Sequence, residues 1–254
     1  MQFIMEQWFT FHSFVLFVIG AIAAIFGVLL GAAGFILLPA MLMVGVPIHT
    51  TIAVNKFATG VSSFVSVLSL LIKGHIKLKT MFPFMTVAAI GGVVGAFISA
   101  NISENTLNII ACIILAFAFL IVLKQQFKRM EIADSSVTKK ISRIPPFFIG
   151  MYDGSIGPGS GSMNISYFLK ANYPYLKAVQ LTRFMMFSSC MSAFFFYLLY
   201  GVFDVIIAVP ITIGSIVGTQ LALKIAPYLK SRWIQMVLPV LFFFLFIQML
   251  KDVL

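Results

Sequence analysis

The reading of this chain turns on Gly150-Met151-Tyr152-Asp153-Gly154-Ser155-Ile156-Gly157-Pro158-Gly159-Ser160-Gly161-Ser162. Alternating glycines disfavour a continuous helix, and Pro158 removes a backbone donor. Yet the stretch lies within an apolar run from Phe147 to Leu169. In hydrocarbon, freed backbone groups must be satisfied by protein, water or ligand. An interruption there makes sense if its N–H groups, with Ser155, Ser160 and Ser162, face a polar cavity. Successive amides in such a turn, or at the start of a following helix, form an anion site. The other reading is close helix packing through small residues, although packing does not call for a proline among the glycines.

Composition sets the solvent. Of 254 residues, 61% are hydrophobic and 9% charged, where a soluble domain needs roughly a quarter charged. Such a chain in water would expose apolar patches well beyond what a soluble monomer carries; lipid removes the objection. Apolar runs long enough to cross a bilayer fall at about 13–30, 50–72, 82–100, 106–123, 178–200, 203–223 and 232–250, by the rule of roughly 20 helical residues per crossing. A second glycine-rich stretch passes through Gly27, Gly31 and Gly34 to Val44. The expected fold is therefore all-α: a polytopic helical membrane protein of about eight membrane segments. Its halves, 1–123 and 147–254, are joined by a basic connector, 124–146.

The halves repeat. Gly27, Gly31 and Gly34 have the spacing of Gly150, Gly154 and Gly157. Pro47, Lys56 and Gly74 match Pro174, Arg183 and Gly201 at one constant offset, and Gly91 and Gly95 match Gly214 and Gly218. The net charge of +10 gathers at joints between apolar runs, not in a stripe, which excludes nucleic acid and points to anionic lipid headgroups and cytoplasmic loops. Basic joints occur at Lys73–Lys79, from Lys124 through the connector, at Lys170–Lys177 and at Lys224–Arg232, whereas the joints at Glu104 and Asp204 are not basic. With the basic joints on one side, equivalent helices run in opposite directions, so the repeat is inverted. An inverted repeat needs an odd number of crossings per half. Broken or re-entrant glycine-rich hairpins at 13–44 and 147–169 satisfy that count; ordinary kinked spans there would break the charge rule in one half.

Lys56 and Arg183 are the most informative charges. Each sits inside an apolar run at equivalent repeat positions, with Asn55 and Thr182 beside them. A charge in hydrocarbon costs several kcal/mol, so it faces a cavity or a partner, or else snorkels from a helix end. Gln180 shares a face with Arg183, and Gln220 approaches from another helix. Asp153 is the acidic residue of the glycine segment; it couples transport to a proton or cation, caps the broken helix, or pairs with Lys56 or Arg183. The candidate substrate-binding set is Lys56, Arg183, Asn55, Thr182, Gln180, Ser155, Gly157, Gly159, Ser160, Gly161 and Ser162, with Asp153 for coupling.

Other classes find little support. No Lys-Ser/Thr pair follows the glycines as a P-loop requires, and His12, His49 and His75 lack metal-ligand spacing. No cofactor, metal or enzymatic constellation is expected. Cys112 and Cys190 read as buried small hydrophobes, Trp8 and Trp233 as interfacial anchors, and Ser62, Ser63, Ser66 and Ser69 as a polar seam or close-packing surface. The first residues carry Glu6 and no Lys or Arg, a poor signal-peptide start.

In this order of features the sequence resembles the TauE/SafE-type sulfite exporter family: a glycine-rich first element, Pro47, Ala53-Val54-Asn55-Lys56, Gly91-Gly92-Val93-Val94-Gly95, and the second glycine series. The resemblance implies a multi-pass permease of the bacterial plasma membrane exporting sulfite, sulfoacetate or another small anion. It carries over to Gly31, Gly34, Asn55, Lys56, Gly154, Gly157, Gly159, Gly161 and Arg183. One departure is that Ile36 and Leu38 stand where the second half has Gly159 and Gly161, so the first turn has a different shape. The expected function is secondary transport of a small anion by alternating access. A non-transport membrane scaffold or assembly protein is the alternative, and it would lack a hydrated cavity.

Overall fold

The computed structural model describes residues 2–74, 76–114 and 142–226, with backbone alone for 2–11. The apolar run at 232–250, the later part of that at 106–123, the connector up to residue 141, His75 and Trp233 lie outside the described residues. The described helices are α1 (Gln2–Leu30), α2 (Ala33–Met43), α3 (Ile48–Ile72), α4 (Leu78–Ala100), α5 (Glu104–Ile114), α6 (Ile144–Ser155), α7 (Ser160–Lys170), α8 (Tyr175–Leu199) and α9 (Val205–Ile225). Among the described residues, five stretches are long and apolar enough to cross a membrane: His12–Leu30 within α1, and α3, α4, α8 and α9. Large apolar side chains such as Phe14, Ile72, Phe97 and Leu199 point outward, a surface that lipid accepts and water does not. The chain is a multi-pass helical membrane protein.

Both glycine-rich stretches break the helix. After α1, Gly31 takes φ +70°, and after α6, Gly157 takes φ +88°. A side chain in this left-handed region costs roughly 1–2 kcal/mol, which glycine avoids. The breaks rest on each other. A Cβ on Gly31 would lie 1.9 Å from Ser162 N, and one on Gly34 3.0 Å from Pro158 Cα. Ser162 N–H donates to Gly31 O across the contact at 3.3 Å.

The matching elements are more regular than glycine spacing suggested. Helices α3 and α8 are 25 residues each. Both follow a proline with the same extended backbone, Pro47 at φ −55°, ψ 147° and Pro174 at φ −58°, ψ 148°. The offset that relates Pro47 to Pro174 and Lys56 to Arg183 also relates the starts of α4 and α9, and Pro83 to Pro210 inside them. The glycines of α4 and α9 nevertheless hold the register in which the sequence pairs them: a Cβ on Gly91 would meet Phe147 O as one on Gly214 would meet Phe17 O, and a Cβ on Gly95 would meet Met151 O as one on Gly218 would meet Ala21 O. Left-handed backbone falls at Gly31 in the first glycine series and at Gly157 and Gly159 in the second.

Close contacts fix the helix directions. Phe57 meets Phe194, Gly60 meets Met191 and Phe64 meets Phe187, so α3 and α8 are antiparallel. Ser188 donates to Met85 O and Ser192 to Ala89 O, so α4 and α8 are parallel. A Cβ on Gly91 would lie 2.2 Å from Phe147 O, and one on Gly95 1.9 Å from Met151 O, which sets α4 parallel to α6 at backbone contact. Gly214 and Gly218 admit Phe17 O and Ala21 O in the same way, setting α9 parallel to α1. Because α6 and α8 run the same way and a short connector joins α7 to α8, α7 must turn back on α6. The Tyr167 hydroxyl, late in α7, accordingly donates to Ser142 O, just before α6.

One end of the bundle is held by a core of Val67, Leu70, Met81, Phe168, Ala178, Val179 and Ala222. That end carries Lys73, Lys77, Lys79, Arg143, Lys170, Lys177 and Lys224 at its helix termini. The other end is closed by Ile48, Ile52, Ala100, Leu107 and Tyr197 and carries Glu104 and Asp204. There His49 Nε2 lies 3.2 Å from Ser99 O and His49 Nδ1 3.6 Å from Glu104 Oε1, tying the start of α3 to the α4–α5 turn.

Candidate functional site: a charged cavity between two helix breaks

Where the breaks cross, α1, α2, α3, α6, α7, α8 and α9 enclose a cavity of about 30 Å³ lined by small and polar residues. A water occupies roughly 10–15 Å³ on such a scale, so the space suits a few waters or one small ion. Gly27, Gly31, Gly34, Gly157 and Gly161 form its backbone walls. A Cβ on Gly31, Gly34 or Gly161 would strike the other break, so these glycines let the two breaks cross, and one on Gly157 would lie 2.3 Å from Lys56 Nζ.

Three charged residues line this space: Lys56, Asp153 and Arg183, which are 1%, 1% and 3% exposed. Lys56 Nζ lies 3.3 Å from Asp153 Oδ1 and 3.5 Å from Ile156 O. Both carboxyl oxygens of Asp153 have further partners. Ser160 Oγ donates to Oδ1 at 2.7 Å, Ser189 Oγ to Oδ2 at 2.5 Å and Cys190 Sγ to Oδ2 at 3.2 Å. A buried pair is tolerable when its remaining lone pairs are satisfied in this way. Of the roles open to Asp153 in the sequence, pairing with Lys56 is the one the geometry displays.

Arg183 differs. Its Nη2 donates to Gly27 O at 3.3 Å, while Nε is buried without a partner among the described residues. No carboxylate reaches it there within ion-pair distance. The two cations at matching positions are therefore not equivalent: among the described residues, Lys56 has a carboxylate at ion-pair distance and Arg183 does not.

Of the other candidates, Asn55, Gly157, Ser160 and Gly161 line the cavity and Asn55 Oδ1 accepts from Thr59. Thr182 Oγ1 donates along its own helix to Ala178 O, Ser155 Oγ to Tyr152 O and Ser162 Oγ to Gly159 O. These three, with Gly159 and Gln180, are not among the lining residues. The turn's amides are partly used within the protein, Ser160 N–H by Gly157 O and Ser162 N–H by Gly31 O. The lining also includes Thr59, Ser62, Met186, Ser215 and Thr219, which sequence reasoning passed over except for Ser62. Cys190, read there as a small hydrophobe, is a thiol donor to Asp153. Only its spacing, about two turns of helix beyond Arg183 and so on the same face, pointed inward.

A multi-pass helical protein with charged residues buried around a central cavity belongs to the class of membrane transporters. The comparisons give the family: residues 16–249 match Sulfite exporter TauE/SafE, so the chain belongs to the TauE/SafE sulfite exporter family. It is similar to a probable membrane transporter protein ORF9 of Sinorhizobium sp., 30% identical over 93% of this chain and 92% of the relative. A probable membrane transporter protein of Haemophilus influenzae is 24% identical over 94% of each. No solved structure gives a significant match.

Proposed function

We propose that the protein is a secondary transporter of a small anion, with sulfite or a short organosulfonate as candidates, and that the anion binds at Arg183. The carrying observation is this cavity-lining guanidinium, buried where two helix breaks meet and without an acidic partner among the described residues. A buried charge in a membrane segment is retained where it serves a pathway or a ligand, and a guanidinium matches oxyanions through its fork of donors. Asn55, Ser160 and the glycine walls complete the site, and Lys56 acts through its pair with Asp153.

The two halves are read as an inverted repeat with re-entrant hairpins α1–α2 and α6–α7. Support comes from antiparallel α3 and α8 and from the exchange of partners, α1 with α9 and α6 with α4. In such folds one half moves against the other around a central site. The basic end is assigned to the cytoplasm of the cell membrane by its Lys and Arg excess, where anionic lipids would meet it. If transport is proton- or cation-coupled, Asp153 is the carboxylate placed to carry the coupling. The test is uptake of labelled sulfite into proteoliposomes, with and without a proton gradient. Saturable uptake lost in Arg183→Ala supports the reading; equal uptake in that variant removes the assigned site.

A further inference from the structure

The membrane interior of this chain holds very few charges, and their balance has a consequence for what the site accepts. Besides Lys56, Asp153 and Arg183, the charged residues of the described helices sit at helix ends or near the chain's start. The apolar run at 106–123 contains no Asp, Glu, Lys or Arg, and that at 232–250 contains only Arg232, at its start. Among the described residues the cavity carries two positive groups and one negative. Because Asp153 contacts Lys56 at 3.3 Å and accepts from Ser160, Ser189 and Cys190, it occupies the place a second negative charge would take beside Lys56.

We propose that Asp153 is a specificity determinant that sets the valence of the bound ion, making the site one for monoanions. This rests on the anion-transport reading above. A monoanion at Arg183 brings the enclosed charge to zero. A dianion leaves one negative charge uncompensated, close to the Asp153 carboxylate and in surroundings that screen poorly, where like charges repel far more than in water. The carboxylate is thus a built-in counter-ion, and removing its charge opens Lys56 to the ligand.

The experiment compares reconstituted wild-type protein with Asp153→Asn and with the Lys56→Met/Asp153→Asn double variant. Its probes are labelled methanesulfonate and labelled sulfate, similar tetrahedral groups of one and two charges. The wild type is expected to prefer methanesulfonate by roughly tenfold or more, about the factor that 1.4 kcal/mol provides. Asp153→Asn is expected to shift the methanesulfonate-to-sulfate ratio toward sulfate by a similar roughly tenfold factor. The double variant, which restores a single positive charge, is expected to return toward the wild-type ratio. Equal or better sulfate transport by the wild type overturns the proposal even if neither variant folds, as does an unchanged ratio in a folded Asp153→Asn protein. Failure of any small anion, sulfite included, to move through or compete at the wild-type protein instead overturns the transport reading itself, and the valence rule with it.

Discussion

At the scale of single residues, the central ion pair decides how much the cavity can be altered. Lys56 and Asp153 are both almost fully buried, so deleting one partner leaves the other charge without compensation, at a cost of about 3–5 kcal/mol. Lys56→Met is therefore expected to lower the apparent Tm of the detergent-purified protein markedly. Lys56→Met/Asp153→Asn should recover a large part of that loss, since it removes both charges. Thermal unfolding followed by intrinsic fluorescence measures this. A double variant no more stable than the single would show that the pair is not the source of the cost. Lys56 and Arg183 were legible in the sequence as matching intramembrane cations. Their inequivalence was not, because it depends on which of them a carboxylate from another helix reaches. Ser189 and Cys190 were missed for the same reason: a serine or thiol in an apolar helix carries no sign that an acid from α6 faces it.

At the scale of elements, the break after α6 was visible as glycines around a proline, and its counterpart after α1 as a glycine series without one. The apolar runs read at 50–72 and 178–200 coincide with α3 and α8 to within about three residues at each end. The shared spacing of Gly91 and Gly95 with Gly214 and Gly218 was legible, and their backbone contacts keep it; which helix each stripe admits was not, because spacing within one helix does not name its neighbour. Sequence alone left the glycine segments as either hairpins or kinked spans. For α6–α7 the Tyr167–Ser142 contact decides for a hairpin. Cysteines placed at 142 and 167, in a background with Cys112 and Cys190 replaced by serine, should cross-link with a short bifunctional maleimide. A pair at 142 and 160, at opposite ends of α6, should not. Cross-linking of neither pair would mean that α7 continues outward from α6.

For the whole molecule, the two ends differ in charge and the two halves share the cavity between them. α1 packs on α9 and α6 on α4, so each break is held by a helix of the other half, and a movement of one half against the other changes the cavity from both sides. Charge asymmetry along the sequence foretold the separation into a basic and an acidic end; helix directions from named contacts then placed Lys73, Arg143, Lys170 and Lys224 together. The interior size of the site depended on side-chain packing among seven helices and had no signature in any one of them.

The most direct test of a hydrated central site reached alternately from both ends uses Thr59, which lines the cavity from α3. In a background with Cys112→Ser and Cys190→Ser, Thr59→Cys in sealed vesicles is treated with a membrane-impermeant thiol reagent from one face at a time. Reaction is expected from each face, slowed by methanesulfonate at both. No reaction from either face, or reaction from both that methanesulfonate leaves unchanged, would contradict an anion site at the crossing of the two breaks.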